Sequence, residues 1–273
     1  MFVRRAALGH LEAADVALRN AAEGGKRAAT QAARARRELL RLRALLRLVR
    51  GPLGVTAFNR EHGAVQRLVR RVTPHAEGID AAAVRALRQL SKELDAAKPD
   101  EAVAGQKPSA AGPALLRSLA DLAEVRVRAA HWHVPEAGFD ALAPALRRVW
   151  RQSGRPVTGV RAASPAALAD AALTLHDQLR CVERVWPEAI DAPRQLARVL
   201  ASDASRLAAL SGLPARPGGD SAAAEPLATR LDDARAGAAA DVNAGAARLR
   251  AETPAAFTRR VAGYWVCWRR APG

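Results

Sequence analysis

Apolar residues return at intervals of three and four along nearly the whole chain, and the positions between them are mostly alanine and arginine. That spacing keeps one face of a 3.6-residue helix apolar, and alanine, leucine and arginine are among the strongest helix formers. Runs of β-branched or aromatic residues that would specify strands are few. The expected fold class is all-α. Proline and glycine divide the periodic stretches, which predicts helices at 3–22, 26–50, 55–72, 80–97, 113–131, 138–152, 165–185, 188–211, 223–251 and 254–270. AAKPDEAVAGQKPSAAGP (96–113) and SGLPARPGGDSAAAEP (211–226) hold too little apolar content to pack and are expected to be mobile loops.

Charge narrows the partner. The 273 residues carry a formal net charge of +16, and lysine stands only at Lys26, Lys92, Lys98 and Lys107, so arginine supplies 39 of the 43 basic residues. A guanidinium presents a planar fork of donors that fits phosphate oxygens two at a time, which an ammonium cannot do. The excess is also local. Between Lys26 and Arg71 thirteen basic residues face only Glu38 and Glu61, a local excess of eleven. Elsewhere arginine and acid interleave as on an ordinary solvated helical surface.

Helical phase sorts these arginines. At about 100° per residue, Arg36, Arg43, Arg47 and Arg50 fall within about 60° of one another, beside a sector of Leu39, Leu42, Leu45, Leu46 and Val49. In the next predicted helix Arg60, Arg67 and Arg71 share a stripe opposite Phe58, Val65, Val69 and Val72. Antiparallel packing of the two helices would set both basic stripes side by side as a groove for a polyanion. Arg36, Arg43 and Arg47 flank the apolar stripe, so their replacement by glutamate is expected to leave helicity intact.

The string RARRELLRLRALLRLVRGPLG resembles the signature helix of the CHAD family, the conserved-histidine α-helical domain, in which H-x-x-R-K precedes basic residues at helical spacing and R-A-L-L-R-L-x-R. GVTAFNREHGAVQRLVRRVTPH is similar to that family's second helix. FDALAPALRRVWRQSG resembles the opening of its second half, CVERVWPEA the end of its second signature helix, and TPAAFTRRVAGYWVCWRR its C-terminal helix. The resemblance implies two pseudo-symmetric antiparallel helical bundles, here 1–134 and 135–273 and meeting around 131–138, with a basic channel that binds inorganic polyphosphate or another linear polyanion. It also implies, as an alternative, association with polyphosphate or polyhydroxyalkanoate granules. The chain departs from the pattern at both signatures. Ala33 stands at the first histidine position, although Arg36, Arg37, Arg43, Arg47 and Arg50 match the basic positions, and Leu40 replaces a basic residue beside Arg41. In the second half Ala169 stands at the histidine, Ala172 and Leu173 at the Arg-Lys pair, and His176 where lysine is usual. The anion is therefore expected mainly against 26–50 and 55–72. Its clamps would be Arg36, Arg37, Arg43, Arg47, Arg50, Arg60, Arg67 and Arg71, with Arg147, Arg148 and Arg151 as second-half contributors and Arg180, Arg184 and Arg194 mattering less.

Catalytic, metal and cofactor roles find no pattern. His131 and His133 sit two apart, off a common helix face. His10, His62 and His75 are expected at surfaces or helix ends, and His176 with Asp177 as a solvated polar turn with no nucleophile motif beside it. No carboxylate cluster or phosphate-cradling glycine loop suggests hydrolysis. Trp150, Trp186, Trp265, Trp268 and Tyr264 lie beside arginines at helix ends, where packing is expected over base stacking. Cys181 and Cys267 form no disulfide framework, and the first twenty residues carry charges where a signal peptide needs its apolar stretch. The expectation is a non-enzymatic, cytoplasmic protein without a membrane span. The rivals are a granule-coating structural protein and a nucleic-acid binder, the latter without a recognised module.

Overall fold

The computed structural model describes residues 2–76, 111–134, 138–160, 162–213 and 224–270. Over these residues the chain is all-α, with no strand. Its helices are α1 (Phe2–Ala22), α2 (Ala28–Leu48), a single turn α3 (Arg50–Leu53), α4 (Val55–Val72), α5 (Ala111–Ala130), α6 (Ala143–Ser153), α7 (Pro165–Val182), α8 (Pro187–Ser211), α9 (Ala224–Arg250) and α10 (Pro254–Arg270). The helix expected at 80–97 and most of both expected loops lie outside the described residues.

Local chemistry explains the boundaries. Gly24 and Gly25 adopt φ of +82° and +87°, a left-handed backbone that ends α1 and turns the chain into α2 at little cost for glycine alone. Ser164 accepts a hydrogen bond from the Ala167 amide (3.2 Å) and Pro165 occupies the first turn, which together start α7. The helix expected from 138 starts instead at Ala143. Before it, residues Phe139–Ala141 form a 3₁₀ turn.

Apolar side chains gather in two clusters. The first draws on α1, α2, α4 and α5, the second on α6 to α10. Leu39, Leu42, Leu45 and Leu46 of α2 are fully buried, each contributing about 1.5–3 kcal/mol of burial. The clusters meet where α2 crosses α7. Leu48 of α2 packs in the second cluster, and Leu173 and Cys181 of α7 touch both. Burial and the nearby Asp177 carboxylate push the Cys181 thiol up to about 12, so it packs as a small apolar group. Close approach of α8 and α9 depends on Gly245, where a Cβ would come within 3.2 Å of Leu200 Cδ1.

The packing expected of the tryptophans holds for Trp150. Its ring stacks on Phe257 with centroids 3.9 Å apart, and its indole N–H reaches the carbonyls of Leu249 (3.1 Å) and Glu252 (3.2 Å). Trp186 and Trp268 differ, being 42% and 45% exposed. His176 and Asp177 differ too. Because α7 lies between the two clusters, its polar turn faces protein, and both are buried with Nδ1 of the histidine 3.1 Å from the Asp177 carboxylate.

Candidate anion-binding site

Three segments converge on one cavity of about 470 Å³: α2 to α4, α6 with the turn that follows it, and α7 from Ala167 to Gln178. Ser164 and Pro165 set the start of α7, and from there Asp170, Thr174 and Gln178 recur every four residues to form a polar stripe on the cavity wall. Opposite them stand Arg47 and Arg50, and from the side Arg148 and Arg155. Phe58, Val149 and Leu168 make the wall partly apolar.

Asp170 is the sole carboxylate among the described residues that line the cavity. It accepts from Arg47 Nη1 (3.2 Å), which also reaches Thr174 Oγ1 (3.2 Å), and from Arg43 Nη2. Arg43 lies behind this pair with its side chain 12% exposed. Burial pulls its guanidinium below the ordinary value against the opposing charge of Asp170, and Arg47 and Arg36 add to the pull. Arg50 stacks its guanidinium over Phe58, 5.1 Å from the ring centroid. Neither Arg50 nor Arg148 forms an ion pair among the described residues. Among the described residues, Arg50 and Arg148 thus face a cavity whose one aspartate is already shared by Arg43 and Arg47.

Two uncharged groups complete the wall. Gln178 is 1% exposed and donates through Nε2 to the Ala44 carbonyl (3.2 Å), which leaves its buried Oε1 without a partner. His62 stacks on Phe58 with centroids 5.0 Å apart, and its Nε2 is buried and unpartnered. This corrects the surface placement expected for His62. Phe58, His62, Val65, Val69 and Val72 follow one another at spacings of four and three, so the histidine belongs to the inward stripe of α4. His10 and His75 do lie near the surface, His10 bonding Glu38 (2.9 Å).

The remaining predicted arginines disperse. Arg36 donates to Thr73 Oγ1 (3.0 Å) at the far end of α4, and Arg37 is exposed. The groove expected between the α2 and α4 stripes does not form. Since α4 turns its apolar stripe into the first cluster, its opposite face points away from α2 and toward α5 or solvent. Arg71 there bonds Asp121 of α5 (2.7 Å), Arg60 bonds Glu61 (2.8 Å), and Arg67 is exposed. Glu61 is completely buried and also receives Arg128 of α5 through both oxygens (3.0 and 3.2 Å). On α6, Arg147 turns to Thr258 Oγ1 (2.7 Å), Arg151 is exposed, and only Arg148 reaches the cavity. Of the eleven predicted residues, Arg47, Arg50 and Arg148 line it and Arg43 braces it. Replacing Arg43 by glutamate would set a second carboxylate beside Asp170 at a position only 12% exposed, so this exchange is expected to lower stability even where helicity is kept.

The sequence pattern missed Arg155. It lies beyond the Gly154 cap of α6, in the turn that follows the helix, where helical phase gives no guide to direction. His131 and His133 are exposed after α5, and among the described residues no three histidine, cysteine or acidic side chains gather as a metal site.

His62 makes the fold sensitive to pH. Burial, then Arg47, Arg43 and Arg50, hold its imidazole below the ordinary value of 6.5, with Asp170 opposing. Between the two values the unfolded chain binds the extra proton, so lowering the pH through that window destabilises the folded state. The thermal midpoint should fall as pH drops below about 6.5, and fall less steeply in His62→Gln. Parallel slopes in the two proteins would deny His62 this role.

No protein-family model, curated protein or solved structure matches this chain.

Proposed function

We propose that the protein is a CHAD-like, non-catalytic polyanion-binding module whose ligand is inorganic polyphosphate. The observation that carries this reading is the convergence of Arg47, Arg50, Arg148 and Arg155 on one cavity in which Asp170 is the only carboxylate among the described lining residues. Guanidinium forks from different helices can each take two oxygens of neighbouring phosphoryl groups. Because the lining comes from both apolar clusters, the bound anion would draw the α2–α4 and α6–α7 surfaces together. The cavity accommodates a short stretch of a chain.

The test is titration with polyphosphates of defined length, with duplex DNA and sulfate as controls. Engagement of about four phosphates should cost roughly 50-fold in affinity between 50 and 200 mM salt, by analogy with counterion release from single-stranded nucleic acids. Tighter binding of DNA than of polyphosphate at equal salt would favour the nucleic-acid reading. Partitioning to granules that persists after the cavity arginines are neutralised would favour the granule-surface reading. Phosphate release that co-purifies with the protein and vanishes on a point mutation would contradict a non-catalytic role.

Asp170→Asn offers a change in the opposite direction. Removing a negative charge beside the anion should tighten polyphosphate binding by about fivefold. It should also lower stability by on the order of 1 kcal/mol, because Arg43 loses its counter-charge. Weaker binding in this variant would place the anion elsewhere.

A further inference from the structure

The end of α10 forms a second distinctive surface, remote in composition from the cavity. The chain has five tryptophans, one tyrosine and four phenylalanines, and Trp186, Tyr264, Trp265 and Trp268 meet here. Trp186 packs on Tyr264 with centroids 5.0 Å apart, and Trp265 on Trp268 at 5.5 Å. Trp265 reaches back to Phe139 (5.9 Å) and anchors the group to the second cluster. Trp186 and Trp268 keep 42% and 45% of their surface in water, and Val266 keeps 46%. Every residue from Val266 to Arg270 is exposed, so the last turn of α10 stands clear of the body.

The charge on α10 itself has one sign. α10 contains Arg259, Arg260, Arg269 and Arg270 and no acidic residue. Arg260 is held by Glu252 (2.7 Å) and lies over Tyr264 (5.9 Å), but Arg259, Arg269 and Arg270 form no ion pair among the described residues. Of the acids near Trp186 in sequence, Glu183 is engaged by Arg194 (3.2 Å) and Glu188 is exposed.

We infer that this surface docks on an anionic phospholipid bilayer, with Trp186 and Trp268 entering the interfacial layer and Arg269 and Arg270, in the same last turn as Trp268, meeting lipid phosphates. Tryptophan and tyrosine join an apolar ring to a polar edge and settle at the level of lipid headgroups. Arginines beside them supply the attraction to negative lipid. A second copy of the chain is a poorer fit. The exposed parts of the two tryptophans and Val266 amount to on the order of 100 Å² or less apiece, well short of the roughly 800 Å² per partner of a stable interface. The contact is peripheral, since no helix among the described residues is long and apolar enough to cross a membrane.

The test mixes the full chain at about 0.15 M salt with vesicles of phosphatidylcholine alone or mixed with phosphatidylglycerol. The mixed vesicles should carry the protein down on sedimentation, blue-shift its tryptophan emission, and quench part of it when their acyl chains are brominated. Neutral vesicles should not. Trp186→Ala/Trp268→Ala keeps every charge and should reduce sedimentation by at least about tenfold, while Arg269→Gln/Arg270→Gln should lose the preference for anionic lipid. Absence of bromine quenching in the unaltered protein overturns the inference without any variant. Undiminished sedimentation of the double tryptophan variant overturns it as well, since that is plain adsorption of a basic protein. A dimer in sedimentation equilibrium that this variant dissolves would assign the surface to a second copy and overturn it.

Discussion

Exchanging Arg50 and Arg148 together for glutamate is expected to weaken polyphosphate binding by at least about 100-fold. Each guanidinium forms charge-assisted hydrogen bonds with phosphate oxygens worth about 1.5–3 kcal/mol, and each reversal adds repulsion. These two residues are the cleanest choice. Both are exposed and line the cavity, and neither holds an acid of the fold. What the fold loses is the stacking of Arg50 on Phe58, about 0.5–1 kcal/mol. Helicity by circular dichroism should be unchanged and the thermal midpoint should fall by only a few degrees. Binding retained within about threefold, less than one lost charge-assisted contact, would remove the cavity from consideration.

The largest loss of stability is expected from Phe257→Ala. Phe257 is fully buried, stacks on Trp150, and ties α10 to α6. Truncating it removes the stacking and leaves a void against the indole, at a cost of about 3–5 kcal/mol. The thermal midpoint should drop by roughly 10 °C. Phe257 does not line the cavity, so polyphosphate affinity measured well below the new midpoint should stay within about twofold. A loss of affinity as large as that of Arg50→Glu/Arg148→Glu would mean that α6 cannot hold Arg148 in place without this packing.

Much of the fold was legible because it rests on local periodicity. The stretch 55–72 forms a helix over those same residues, and 254–270 does as well, because each is bracketed by a residue that stops or starts a helix, Gly54 and Pro254 among them. The site was legible only in part. The phase of 26–50 grouped Arg36, Arg43, Arg47 and Arg50, of which Arg47 and Arg50 line the cavity and Arg36 turns to Thr73, yet the counter-charge of Arg43 and Arg47 comes from Asp170, more than 120 residues away. The excess between Lys26 and Arg71 therefore overstated the free positive charge, since Asp121 and Asp170 reach into it from other helices. Phase within one helix also says nothing about which neighbour a face meets. Arg60, Arg67 and Arg71 lie opposite the apolar stripe of α4, and that alone turns them away from α2. His62 could have been found, since its spacing from Phe58 and Val65 is that of a buried position. Asp170, Thr174 and Gln178 carried a similar signal, a polar stripe repeating every four residues beside the apolar stripe of α7.

The central claim is that the anion sits between the helices, on arginines from both sides of the α2–α7 crossing. A diffraction measurement of the protein crystallised with tripolyphosphate tests it most directly. The predicted result is phosphate density within hydrogen-bonding reach of Arg47, Arg50 and Arg148, beside Asp170. Density confined to the outer surface of α4 at Arg60 and Arg67, with the cavity holding only water, would contradict it.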